Sequence, residues 1–210
     1  MKNMTRNMNT AGRQSGFTII ELIVVILLLG ILTATALPRF IDVTDEAHEA
    51  VVDAIRGGLL TGSALFRAQW TADSGVAGTV VAEFNSMQAN EEGYAIGLDA
   101  QADGTNQVDS TVECYNIYQG LLQEGRPVAY YDDDEDIAAF TAAGAITQLY
   151  LDDAISDAPT PPDVIVKLTG AETCGFLYVG QYRTASAIAD FNVPLLELTT
   201  TTGAVVRSNM

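Results

Sequence analysis

The apolar run from Leu22 to Leu37, headed by the carboxylate of Glu21 and preceded by Lys2, Arg6 and Arg13, constrains this chain more than anything that follows it. As a helix, Phe17–Leu37 would be about 31 Å long at about 1.5 Å per residue. That matches a bilayer core of about 30 Å. The basic residues lie on its N-terminal side, which predicts that they stay in the cytoplasm and that the rest is exported. A charge inside a membrane segment costs about 2.5–3.5 kcal/mol or more and usually marks a function. A plain single-span anchor explains the hydrophobicity and the orientation, but leaves Glu21 unexplained. An ordinary secretory signal is the other reading: it would be cut after the small residues Ala34-Thr35-Ala36, releasing a soluble protein. That cut also gives Glu21 no purpose.

The stretch Ser15-Gly16-Phe17-Thr18-Ile19-Ile20-Glu21 resembles the N-terminus of a type IV pilin precursor. That family is processed at a Gly followed by Phe or Met, with Glu four residues beyond the new N-terminus. Gly30-Ile31-Leu32 and Pro38 also fall where pilins have them. The resemblance is specific over residues 15–40 and weaker to about residue 70. It implies that prepilin peptidase cuts between Gly16 and Phe17 and N-methylates Phe17. It implies that Glu21 meets the amine of a neighbouring subunit during assembly, and that the helix partly melts between Gly30 and Pro38 in the filament. It also implies an α+β pilin-like fold, a long N-terminal helix packed on an antiparallel sheet. Its parts would be a leader (1–16), a transmembrane and assembly helix (17–38), an amphipathic continuation (39–70) and an extracytoplasmic globular domain (71–210). Ala36-Leu37-Pro38-Arg39-Phe40-Ile41 looks like the mannose-sensitive haemagglutinin branch of pilins. The leader is longer than is usual for pilins that begin with Phe, so Met4 and Met8 are alternative starts.

The residues give these implications a physical basis. Cleavage after Gly16 creates an amine on Phe17, and an amine and a carboxylate in lipid are each costly alone. Pairing them offsets much of that cost at low dielectric. N-methylation keeps the positive charge. Pro38 lacks an N–H and clashes with the carbonyl of Ala34, so it ends the span or kinks a continuing helix. Gly30 weakens the helix by about 1 kcal/mol, or else packs closely against a neighbouring helix.

Composition narrows the partners. Asp and Glu number 27 against 10 Lys and Arg, for a formal charge of −17. Nucleic acid is a poor partner, because phosphate binding needs clustered bases. Cys114 and Cys174 stand far apart with no CxxC, and His48 is the one histidine. A zinc site and a Cys-His nucleophile are therefore poorly supported. If the domain is exported, a Cys114–Cys174 disulfide is the natural use. It would close a loop of about 60 residues, worth about 3–4 kcal/mol on the chain-entropy model; two free buried thiols are the alternative. There is no Walker motif and no GxGxxG. With one histidine beside the membrane helix, a Ser-His-Asp triad is not expected. No enzyme and no cofactor is expected.

Beyond the span, Val51, Ile55, Leu59, Phe66 and Trp70 recur on one helical face, while Asp42, Asp45, Glu46, Glu49 and Asp53 fall largely off it. Gly57-Gly58 and Gly62 weaken that helix or admit a close neighbour. His48, among acids, reads as an exposed helix residue. From Asp73 to about Thr111 turn residues break the pattern: a short strand within Val76–Phe84 and then irregular loop. Thr111–Leu122 reads equally as helix or strand, and Val128–Tyr131 as a short strand. The acid run from Asp132 to Asp136 fits the N-terminus of a following helix. Asp132, Asp134 and Asp136 are weak calcium candidates, because adjacent acids cannot all converge and no EF-hand spacing is present. Val164–Leu168 and Phe176–Val179 read as strands joined through Thr169–Gly175, with further strands at Leu195–Thr199 and Ala204–Val206.

The expected function is a major or minor subunit of a type IV pilus-like filament, serving adhesion or surface attachment. The subunit would sit in the inner membrane before assembly and in the surface pilus afterwards, with prepilin peptidase and other pilins as partners. A type II secretion pseudopilin shares the cut, Glu21 and the helix but stays within the envelope. A single-span anchored binding domain predicts no cut.

Overall fold

The computed structural model describes residues 16–98, 107–122, 124–131, 154–182 and 193–209, with no account of the side chains of residues 37–42. The chain divides into two compact units, Met1–Glu46 and Ala47–Met210.

In the first unit, the described residues from Ile19 onward belong to helix α1, which runs from Ile19 to Asp73. Ile19–Ala36 is long and apolar enough to cross a membrane, and none of it is buried against protein. Thr33 donates to the Leu29 carbonyl at 2.7 Å, and Thr35 to the Ile31 and Leu32 carbonyls. The hydroxyls inside this apolar stretch are thus satisfied by the helix itself, as a segment surrounded by hydrocarbon requires.

In the second unit, α1 buries Val52, Ile55, Leu59, Phe66 and Trp70. The expected face is present, with Val52 buried more deeply than Val51, which packs at its margin. A small antiparallel sheet follows: β1 (Val80–Val81), β2 (Met87–Ala89) and β3 (Ala95–Leu98) in the order β1-β2-β3. The irregular loop expected after Phe84 is therefore strands β2 and β3 in part. Each is too short to show alternation in sequence, yet Met87, Ala89, Ala95 and Ile96 are all buried.

Thr111–Leu121 is a helix, α2, which settles the helix-or-strand ambiguity there. Ser110 caps it: its Oγ accepts from the Glu113 N–H at 3.2 Å, while the Glu113 carboxylate accepts from the Ser110 N–H at 3.2 Å. The same carboxylate accepts from the Asp109 N–H at 2.9 Å and is buried. Burial pushes the Glu113 carboxyl above its ordinary pKa, with the backbone donors pulling against it.

The second sheet has the order β4-β5-β6-β7-β8, from Ala129–Tyr131, Val164–Gly170, Thr173–Tyr178, Pro194–Thr199 and Ala204–Asn209. It is antiparallel except for β4, which pairs parallel to β5. Val164, Val166, Leu168, Phe176, Leu196 and Leu198 join α1 and α2 in one core, while Ile165, Leu177 and Leu195 form a second cluster. The β5–β6 connection is shorter than expected. Gly170 ends β5, Ala171 and Glu172 make the turn with Glu172 at φ 57°, and Gly175 lies inside β6. The expected helix after the acid run lies outside the described residues.

Gly58 and Gly62 admit a neighbour. A Cβ at Gly62 would lie 2.5 Å from the Leu121 carbonyl oxygen, and one at Gly58 2.5 Å from Leu122 Cδ2. The end of α2 thus sits directly on the backbone of α1. Gly57 has open space instead. Arg207 of β8 pairs with Glu49 and with Asp53 of α1, the latter at 3.4 Å.

Candidate functional site

The residues singled out for processing and assembly lie at the N-terminal end of α1. Gly16 precedes the helix, and Phe17 is 91 % exposed. Thr18 is the first residue to accept an intrahelical bond, from the Leu22 N–H at 3.3 Å. The Thr18 hydroxyl accepts from the Glu21 N–H at 3.3 Å. The Glu21 carboxylate in turn accepts from the Thr18 N–H at 3.5 Å and from its hydroxyl at 3.4 Å. This reciprocal pattern is a capping box, and it satisfies two of the donors that a helix start leaves orphaned. The sequence reading gives Glu21 a membrane charge and an assembly role, and not this local one. The Thr-x-x-Glu spacing was the signal that would have shown its local role.

Gly30 lies within α1, and a Cβ there would meet nothing within 4 Å. Pro38 also lies within α1, which continues past it. Its missing N–H leaves the Ala34 carbonyl without the usual donor four residues on.

In the second unit, Cys114 of α2 and Cys174 of β6 are joined by a disulfide, with Cα atoms 5.3 Å apart and both residues buried. Asp132, Asp134 and Asp136 lie outside the described residues. Among the described residues, no group of His, Cys, Asp and Glu is arranged to hold a metal ion. His48 is not the exposed residue expected. It is half-buried, with Nδ1 2.8 Å from the Tyr178 hydroxyl. That partner is 130 residues away, so nothing in the local sequence could have shown it.

The N-terminal segment is thus capped at Thr18, and Ile19–Ala36 is apolar but for Glu21, Thr33 and Thr35 and long enough to cross a membrane. Residues 12–37 match the family model for the prokaryotic N-terminal methylation motif. The type IV narrow pilus major component PilA5 of Thermus thermophilus is 47% identical over 57 residues, 27% of this chain and 49% of that protein. This chain is type IV pilin-like. The fimbrial protein EcpC of Eikenella corrodens is 28% identical over 153 residues, 70% of this pilin-like chain and 94% of that protein. The pilin-like chain thus spans about half the length of PilA5 and nearly all of EcpC. No solved structure matches it. The relatives' names carry the pilin family but not its haemagglutinin branch. The α+β architecture, a long helix with largely antiparallel sheets behind it, is the one that the resemblance implies.

Proposed function

We propose that this chain is the precursor of a structural subunit of a type IV pilus-like filament. The leader stays in the cytoplasm and the span sits in the inner membrane. Prepilin peptidase cuts between Gly16 and Phe17 and methylates Phe17, and the helix then packs with those of other pilins. Glu21 pairs with the Phe17 amine of a neighbouring subunit. The Gly30–Pro38 stretch, with a glycine in open space and a carbonyl lacking its donor, is where the helix loosens in the filament. The domain after residue 70 faces outward and serves surface attachment.

The observation that supports this reading is the methylation motif at residues 12–37, with Ile19–Ala36 apolar and not buried against protein. Mass spectrometry of the N-terminal peptide tests it, in sheared surface material and in washed envelopes. A methylated peptide beginning at Phe17 in the sheared fraction is expected. The same peptide confined to envelopes would favour a pseudopilin or an unassembled minor pilin. An uncut N-terminus, or one beginning after Ala36, would overturn the reading.

A further inference from the structure

Cations are scarce in this chain, and most of the described ones are engaged. Arg207 is paired with Glu49 and Asp53, and Arg56 donates to the Val205 carbonyl. Arg67 differs. Its guanidinium lies 5.1 Å from the centroid of the Tyr94 ring and donates to the Tyr94 hydroxyl at 3.2 Å. Among the described residues no carboxylate pairs with it. A guanidinium carries five donors in a planar fork that matches a carboxylate, and one bond to a phenol leaves most of them open.

Arg67 also stands in a groove. Leu60, Ser63, Ala64, Arg67 and Thr71 line about 490 Å³ along one stripe of α1, opposite Tyr94. Ser63 is 6 % exposed, and among the described residues its hydroxyl makes no hydrogen bond. A buried hydroxyl without a partner carries a desolvation penalty that an incoming polar group would relieve. The groove therefore offers a cation, a buried hydroxyl and a phenol on one wall-and-floor arrangement. It opens to solvent along the helix, a shape that suits a row of side chains from another protein.

We propose that this groove is a contact between copies of the chain, in which Arg67 takes a carboxylate of the neighbouring copy. Charge complementarity names the occupant. With 27 acids against 10 bases, a second copy offers many more carboxylates than cations, and like-charged copies need such a point of attraction to approach. Held between the Tyr94 ring and that carboxylate, Arg67 fixes the register of two domains along their helices. The contact rests on the filament reading for its setting, but its chemistry stands apart from the N-terminal segment.

The test uses the full chain in cells that assemble it. Arg67→Lys keeps the charge and introduces an amine where amines are rare: beyond Lys2 the only other lysine is Lys167, which is 1 % exposed. A carbodiimide should couple the introduced amine to the carboxylate it touches. The expected result is an intermolecular link from position 67 in the Arg67→Lys variant, absent from the wild type, with the acid identified by mass spectrometry. Sheared material and washed envelopes are treated in parallel. That link in envelopes, with nothing in the sheared fraction, would support the contact while counting against the surface filament. No intermolecular link from position 67 in either fraction overturns the contact. Arg67→Glu should lower the assembled yield by about tenfold or more, because like charges then face each other. Wild-type assembly of Arg67→Glu would also overturn it. Folding of each variant is read from the emission of Trp70, the chain's one tryptophan, which lines the same groove.

Discussion

The span Ile19–Ala36 and the domain after Ala47 treat apolar side chains in opposite ways. In the span, Ile19, Ile20 and Leu22 are each more than half exposed, and among the described residues its side-chain hydrogen bonds are local ones. In the domain, the apolar side chains of α1, α2 and both sheets close on one another, and a disulfide ties α2 to β6. The described part of the domain buries a core of its own, with Leu65 and Val206 left exposed, whereas none of the span is buried. A packed core tolerates side-chain exchanges that keep its volume, so the two regions constrain the sequence differently.

The contrast can be broken at several points. The largest effect is expected at Glu21. Glu21→Ala should reduce the assembled yield by about tenfold or more, since it leaves the partner amine unpaired. It should leave the denaturation midpoint of the domain unchanged. Measuring both on one variant separates the two regions, and a lowered midpoint would show that they are not independent. Next is the disulfide: replacing Cys114 and Cys174 together by Ser should destabilise the domain by about 3–4 kcal/mol, read by denaturant titration of Trp70 emission. Cleavage after Gly16 should be unaffected.

Smaller effects sharpen the domain side. Gly62→Ala forces a methyl against the Leu121 carbonyl and should destabilise by about 1–3 kcal/mol, again by denaturant titration. Gly57→Ala, in open space on the same helix, should be neutral or slightly stabilising. Ser110→Ala removes the cap of α2 and should lower stability by about 1 kcal/mol. The last is a pH effect. The folded Glu113 carboxyl has a raised pKa, so the native state holds its proton more tightly than the unfolded chain. Its contribution is therefore fully present below the ordinary carboxyl range and is lost as pH rises through the raised value. Glu113→Gln should flatten the stability–pH curve across that window, which melts at a series of pH values would show.

What the sequence made legible follows the range of the interactions involved. The buried face of α1 repeats every three to four residues, and the N-terminal motif is contiguous, so both could be read. Strands β2 and β3, of three and four residues, carry too few positions to show a period. The β5–β6 turn was misplaced because glycines usually break strands. Here Gly170 and Gly175 are strand residues, and Glu172 takes the left-handed turn position instead. A Cβ at Gly175 would run into the Thr169 side chain, which is why a glycine serves inside that strand. The partners of His48 and Arg67 lie on other elements, and a linear reading has no access to them. The Thr18–Glu21 box has a local Thr-x-x-Glu spacing, a signal the sequence analysis does not use.

The bond between Cys114 and Cys174 makes a closed ring of the chain between them, and that ring contains β4, the acid run and β5. A protease that nicks the ring anywhere inside it would leave the two fragments joined. The nicked chain would run as an intact one on a denaturing gel until a reductant was added. Damage to this stretch would therefore not by itself release β6, β7 and β8 from α1 and α2. A chain scored there by outside enzymes would remain a single covalent piece.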